Sequence, residues 1–335
     1  MEKYYLIVDI GGTKTTGALF TEKGDLVDNY TYVAKSQTFK GKEAIYQNTR
    51  AVLDYVMCHF GIETENILGI GVGAPGPLDV EQGLIIGSPM LGMDHLPIAG
   101  LLEHDYGVPV RMDNDGNLGA LAEQRCGMGK GKKNVLYMTV STGCGGGAVL
   151  DGEIYHGYQY GAAEFGHISI DLEGKKCPCG GKGCLELYAS GTAMKHKMIA
   201  DMQSGVRSKI FEKSGLTADE LDGNILTEAA MEGDEYALAL YKQEGYYLGC
   251  ALSVLFNLFS PEVFVLGGGV TKAKQFFHDE MMKELRARTL LEVSDDRVKY
   301  SELNDKVVLY GAYYLIKEYL KKKDRKVRKD EKKCL

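Results

Sequence analysis

Apolar and polar positions divide the chain into strands and helices in mixed order. Leu6-Ile7-Val8-Asp9-Ile10 is an almost continuous apolar run that stops at Gly11-Gly12, and Gly17-Ala18-Leu19-Phe20 resumes it, which predicts two buried strands joined by a tight glycine turn. The pattern returns 130 residues later in Leu136-Tyr137-Met138-Thr139-Val140-Ser141-Thr142, followed by Gly147-Ala148-Val149-Leu150. Both copies continue into a turn, Lys23-Gly24-Asp25 or Asp151-Gly152-Glu153, and then a third apolar strand, Leu26-Val27 or Ile154-Tyr155. A repeat so widely spaced predicts two duplicated lobes, not a solenoid.

Helical periodicity lies between these units. Lys42 to Phe60 sets Ile45, Val52, Val56 and Phe60 on one face, and Asn117 to Cys126 does the same with Leu118, Leu121 and Ala122. Thr227 to Phe259 reads as one or two long helices ending before Pro261, and Val263-Phe264-Val265-Leu266 as a buried strand running into Gly267-Gly268-Gly269. Strands alternating with helices predict an α/β fold with sheets covered on both faces. The expected division is a small lobe of residues 1–116, rejoined by a last strand and helix near 303–320, and a larger lobe of 117–302. Residues 321–335 are expected to be a basic, disordered tail.

Bulk properties narrow the class. A chain of 335 residues suits two cores, and 44% hydrophobic with 25% charged residues is the balance of a soluble globular protein without a membrane span. No export signal opens the sequence, so a cytoplasmic protein is expected. A net charge of -7 argues against nucleic acid as a partner, although the tail from Lys321 carries nine Lys or Arg against three Asp or Glu. In that compartment the eight cysteines are read as metal ligands before disulfides where they cluster.

Three constellations carry chemistry. In the first, Asp9-Ile10-Gly11-Gly12-Thr13-Lys14 follows a strand, so its glycines let backbone amides approach an anion while Thr13 and Lys14 add a hydroxyl and a cation. Ser141-Thr142-Gly143-Cys144-Gly145-Gly146-Gly147 has the same character, and two such turns on related lobes can grip a triphosphate from opposite sides. One such turn alone can be only a tight hairpin. Neither matches a P-loop or a dinucleotide fingerprint. Asp9 can orient Mg²⁺ through water, or only cap its turn. In the second, Asp115 falls at a helix start after Asp113-Asn114, near a further turn, Gly73-Ala74-Pro75-Gly76-Pro77. Capping alone would explain an Asp there. A carboxylate in reach of a primary alcohol can also take its proton during phosphoryl transfer. In the third, His167, Cys177, Cys179 and Cys184 offer three thiolates and one imidazole within 18 residues, a closed tetrahedral set that suits structural Zn²⁺. Glu164 and Glu186 flank that set, so the metal can fix two carboxylates for sugar hydroxyls.

These residues resemble the ROK family of bacterial sugar kinases, the kinase half of vertebrate N-acetylmannosamine kinase, and sugar-responsive repressors. The likeness runs from Asp9-Ile10-Gly11-Gly12-Thr13-Lys14 to Gly267-Gly268-Gly269, and Glu164-Phe165-Gly166-His167 with the Cys177 to Glu186 segment is its most specific part. It implies an actin-like, ribonuclease H-like fold of the hexokinase type, with two duplicated lobes around a cleft. It implies Asp115 as base, sugar contacts from Asn114, Glu164, His167 and Glu186 beside the Gly73 turn, and zinc on His167, Cys177, Cys179 and Cys184. ATP phosphates would lie on Gly11, Gly12, Thr13, Lys14, Thr142 and Gly143, adenosine near Gly267, Gly268 and Gly269, and the protein would be a homodimer. Glucose is the acceptor expected first. One departure matters: where family glucokinases carry Asn and Trp in an Ala-Pro-Asn-Leu-Gly-Trp-like loop, Ser88-Pro89-Met90-Leu91-Gly92-Met93 has Met at both places, and the chain has no Trp. N-acetylmannosamine, mannose, fructose or allose therefore stay open. Family repressors carry a helix-turn-helix ahead of this region; only eight residues precede Asp9, which disfavours that class.

Overall fold

The structure is a computed structural model that describes residues 2–37, 40–88, 93–212 and 217–333. In chain order its elements are β1 (Tyr4–Ile10), β2 (Lys14–Thr21), β3 (Tyr32–Lys35), α1 (Lys42–Phe60), β4 (Ile67–Ala74), β5 (Leu78–Asp79), β6 (Leu84–Ser88), β7 (Met93–Leu96), α2 (Ile98–Tyr106), β8 (Val110–Asn114) and α3 (Asp115–Arg125). They continue with β9 (Val135–Val140), β10 (Cys144–Leu150), β11 (Glu153–Ile154), α4 (Gly191–Gln203), α5 (Gly223–Met231), α6 (Glu235–Phe259), β12 (Val263–Gly267), α7 (His278–Arg288), β13 (Val298–Tyr300) and α8 (Val307–Lys333). The chain forms two compact units: 1–126 with 153–163 and 305–335, and 127–152 with 164–304.

In the first unit the sheet order is β3-β2-β1-β4-β8. β1 and β2 are antiparallel, while β4 and β8 run parallel to β1. Alternate residues of β1 serve opposite faces. Leu6, Val8 and Ile10 join Val52 and Val56 of α1 in one core, whereas Tyr5 and Ile7 join Leu118 of α3 and Leu309, Tyr313 and Ile316 of α8 in the other. Each fully buried aliphatic or aromatic side chain of this kind contributes about 1.5–3 kcal/mol. Close seating of α8 requires a glycine, because a Cβ on Gly71 of β4 would stand 2.3 Å from the Ala312 carbonyl oxygen.

In the second unit β10, β9, β12 and β13 lie side by side in that order, again as an antiparallel hairpin extended by parallel strands. The helix α6 starts at its cap Asp234, which accepts the Ala237 N–H at 2.9 Å, and ends at Ser260 just before Pro261. It packs closely on α7, where a Cβ on Gly249 would stand 2.5 Å from the Met281 carbonyl oxygen.

Four sequence expectations are corrected. The third strand of the first repeat is Tyr32–Lys35, because the chain at Leu26-Val27 turns through Asp28 (φ 48°) and Asn29 (φ 53°). The unit boundary falls after Cys126 instead of 116, since α3 packs against α8, and residues 153–163 also belong to the first unit. No strand lies within 307–320: the last strand is Val298–Tyr300, paired with β12 in the second unit. The stretch 321–333 is helix and not a disordered tail, as no Gly or Pro interrupts α8 after Gly311 and its residues are mostly strong helix formers. The Met-substituted loop falls on residues 88–93, of which 89–92 lie outside the described residues.

Candidate functional site

Strand register assembles the candidate residues of the first unit. Asp9 of β1 is level with Gly73 of β4, and Gly73 is level with Asp113 of β8, so the carboxyl ends of three parallel strands place Asp9, Gly73 and the Asp113-Asn114-Asp115 run side by side. Open α/β sheets bind ligands at such ends. Close packing requires the glycine there, since a Cβ on Gly73 would stand 2.5 Å from Val308 Cγ1 and 3.1 Å from Leu118 Cδ1. Asn114 is the cap of α3: its backbone is extended and its Oδ1 accepts the Gly116 N–H at 2.8 Å. Asp115 is the first helical residue, and its Oδ1 also accepts the Gly116 N–H at 2.8 Å. Asn114 thus holds the cap position, and the Asp115 carboxylate shares the same amide. Burial pushes Asp9 up to about 7, the Asp115 carboxylate adds to the rise and the Lys14 ammonium opposes it.

The first glycine turn is stapled from below. Gly11 N–H donates to the Lys14 carbonyl at 2.9 Å, closing the hairpin, and the Ser36 hydroxyl donates to the Gly11 carbonyl at 2.7 Å. A polar chain continues inward, from Ser36 to Thr15 at 2.9 Å and on to the Asn48 amide, which donates to Thr15 at 3.0 Å. Thr13 and Lys14 stay exposed. Sequence reasoning missed Ser36 and Asn48, whose only signal is a hydroxyl and an amide inside otherwise ordinary segments.

The candidate residues of the second unit build up in the same manner. The β9–β10 turn closes with Ser141 N–H on the Gly143 carbonyl at 2.9 Å, and the Gly191 and Thr192 amides at the start of α4 donate to the Ser141 and Thr142 carbonyls at 2.7 and 3.3 Å. Thr139 is level with Gly267, which sets the Gly267-Gly268-Gly269 run beside this turn. Gly268 has φ +90°, and a Cβ there would stand 2.3 Å from the Val140 carbonyl oxygen, so no other residue fits.

Next to that turn lies the Cys/His cluster. Backbone bonds fold 168–185 on itself: Ile170 N–H meets the Gly183 carbonyl at 2.9 Å, Cys177 N–H the Gly181 carbonyl at 2.9 Å, and Leu185 N–H the Ile168 carbonyl at 3.0 Å. The donor atoms of His167, Cys177, Cys179 and Cys184 all lie within 4.8 Å of one another. Cys179 Sγ is 3.6 Å from Cys184 Sγ, and Cys177 Sγ is 3.8 Å from His167 Nδ1. A tetrahedron with metal–sulfur bonds of roughly 2.3 Å has edges near these lengths, so the residues fit Zn²⁺. Burial, with the neighbouring sulfurs, pushes the Cys184 thiol up to about 12, so a cation is what would hold this sulfur as thiolate. Glu186 Oε1 reaches within 3.5 Å of His167 Nδ1, and a Cβ on Gly143 would be 3.3 Å from Glu186 Oε2. The cluster, Glu186 and the second turn therefore form one locality. Glu164 joins it through its backbone, accepting the His167 N–H at 3.0 Å, with its side chain exposed.

Two sheets of one strand order, each ending in a glycine turn, define an α/β protein of the actin-like, hexokinase type. The chain belongs to the ROK family, whose model matches residues 5–319. It is 33% identical over 323 residues to a glucokinase of Halalkalibacterium halodurans, covering 95% of this chain and 96% of that one. Among solved structures it resembles a ROK family glucokinase from Streptomyces griseus in complex with glucose and AMPPNP, at 29% identity and TM-score 0.78 over 92% of this chain and 97% of that one. It also resembles a ROK family transcriptional regulator, a homologue of the E. coli MLC protein, at 26% identity and TM-score 0.85 over 95% of this chain and 78% of that one. Among the described residues no helix is long and apolar enough to cross a membrane.

Proposed function

We propose that this protein transfers the γ-phosphoryl group of ATP to the primary alcohol of a hexose, with glucose as the first candidate and glucose 6-phosphate as product. The observation that carries the reading is Asp115 standing as the first residue of α3, beside the capping Asn114 and two residues beyond Asp113, which is level with Gly73 and Asp9. Asp115 accepts the hydroxyl proton as the sugar oxygen forms its bond to phosphorus and the bond from phosphorus to the ADP oxygen breaks. The two glycine turns offer backbone amides and hydroxyls to the phosphates, and the Gly267, Gly268 and Gly269 run, exposed at Gly269, is the place for adenosine. Mg²⁺, when bound, would neutralise phosphate charge, and the half-buried Asp9 carboxyl is the group on this chain that would orient it through water. Zinc on His167, Cys177, Cys179 and Cys184 would be structural. It leaves His167 Nε2 and the Glu186 carboxylate to hold sugar hydroxyls, with Asn114 and Glu164 as further contacts. The reading includes a cytoplasmic homodimer, for which light scattering should return twice the chain mass.

The test is ADP release with Mg²⁺ and a panel of glucose, N-acetylmannosamine, mannose, fructose and allose. Turnover greatest on glucose is expected. Turnover greatest on N-acetylmannosamine would reassign the acceptor while keeping the reaction, and no turnover on any hexose or hexosamine removes the kinase reading. The likeness to a transcriptional regulator at TM-score 0.85 supports a second reading, as does 30% identity over 253 residues to a putative xylose repressor of Caldicellulosiruptor, and calorimetry beside the ADP assay separates the readings: a regulator binds sugar and releases no ADP.

A further inference from the structure

Asp113, immediately before the capping Asn114, is fully buried. Its Oδ1 accepts the Asn114 N–H at 2.8 Å and the Asn117 Nδ2–H at 3.0 Å, and its Oδ2 accepts from His156 Nε2 at 2.7 Å. Two of these donors belong to the β8–α3 junction itself. His156 is an outsider, 43 residues away in sequence and on the 153–163 segment. A buried carboxylate held on both oxygens by fixed donors has one orientation. Among the described residues Asn117 Oδ1 is buried without a partner, so Asp113 is the anchor of that side chain too. Burial works against the imidazolium of His156, but the hydrogen bond and charge of Asp113 outweigh it and raise His156 above its ordinary value. The contact is thus a charge-assisted one, shorter and stronger than a neutral pair.

We propose that His156 is a positioning residue for Asp115: by clamping Asp113 Oδ2 it fixes the carboxylate that ties down Asn114 and Asn117, and so sets where α3 begins and where its first side chain points. This rests on Asp115 being the base. Without the imidazole, Oδ1 keeps its two donors but the carboxylate can swing about its own axis, and the Asn114 amide and α3 start move with it. Displacement of a reacting group by about an ångström can cost about 10²-fold in rate.

The experiment compares wild type, Asp115→Asn, His156→Ala and His156→Gln by steady-state kinetics, kcat against pH, and melting temperature. His156→Ala should lower kcat by about 10²-fold with sugar and ATP KM within about threefold, and should displace the acid limb of the kcat profile. His156→Gln, which keeps an N–H in reach of Oδ2, should recover at least about tenfold of that loss. Should His156→Ala fail to fold, His156→Gln and the shorter His156→Asn decide, the former the more active at similar melting temperature. An active wild type silenced by Asp115→Asn, with His156→Ala at wild-type kcat or its whole loss explained by melting, overturns the clamp and leaves the kinase reading standing. A wild type without turnover, or full turnover in Asp115→Asn, overturns the base assignment and the clamp together.

Discussion

Asp9 and Thr139 hold the same place in the two repeats. Asp9 is level with Gly73 of the parallel strand beside it, and Thr139 with Gly267 of its own neighbour. Each is followed by a glycine turn into an antiparallel strand. The scaffold is therefore duplicated down to the neighbouring glycine, while the charge is not. Around Asp9 the first unit gathers Asp113 and Asp115; around Thr139 the second unit offers Ser141, Thr142 and glycines. Carboxylates serve proton acceptance and cation binding but repel a bare polyphosphate, and hydroxyls and amides tolerate one. On the proposed function the duplication divides labour, with the acidic end serving the proton and the neutral end the nucleotide.

The most damaging test of that division is Asp115→Asn, which keeps shape and removes the base. Turnover should fall by about 10²- to 10⁴-fold with sugar affinity by calorimetry nearly unchanged, and near-normal turnover would end the role given to the acidic end. Making the second end resemble the first comes next. Thr139→Asp places a carboxylate level with Gly267, where like charges roughly 4 Å apart repel by about 4 kcal/mol at an effective dielectric of 20. After screening, KM for ATP should rise about 10- to 10²-fold with KM for sugar steady. An unchanged ATP KM would place the nucleotide elsewhere. Smaller still is the effect of Cys179→Ser, which should release zinc and weaken sugar binding about tenfold, because Glu186 and His167 lose their anchor. Zinc-free wild type by metal analysis, or zinc loss with unaltered sugar affinity, would uncouple the cluster from the sugar.

Sequence disclosed one side of this comparison better than the other. Both hairpins were readable because their strands are buried on both faces and give continuous apolar runs, and the Cys/His cluster because its ligands lie close in sequence. Tyr32–Lys35 escaped, since only alternate positions are sheltered and the apolar pair before it runs straight into left-handed backbone at Asp28 and Asn29. The extent of the first unit escaped for another reason: α3 is held to α8 by contacts such as Arg125 to Glu318, at 2.5 Å and 193 residues apart, which no local period reveals. His156 has no motif around it at all. Its meaning comes from Asp113, which the sequence displayed beside Asp115 without showing what it binds.

Each unit also holds one carboxyl toward its neutral form, half-buried Asp9 in the first and fully buried Glu244 in the second, and pH separates them. Burial and then Asp115 push Asp9 up to about 7, whereas burial alone pushes Glu244 of α6 up to about 8. Glu244 is 1% exposed and, among the described residues, neither of its side-chain oxygens has a partner. Both folded values lie above those of the unfolded chain, so the folded state keeps protons that the unfolded state releases. Their contribution is complete below about pH 4 and is lost as pH rises, through about 7 for Asp9 and about 8 for Glu244. Each group steepens the fall by at most about 1.4 kcal/mol per pH unit. Asp9 keeps some exposure, and solvent screens its share. Glu244→Gln should therefore flatten the decline of melting temperature between pH 6 and pH 8 by about 4 °C, and Asp9→Asn by less. Equal slopes in wild type and Glu244→Gln would mean that Glu244 is ionised on a partner. A larger flattening from Asp9→Asn would mean that the charge of Asp115, and not burial, governs the acidic end.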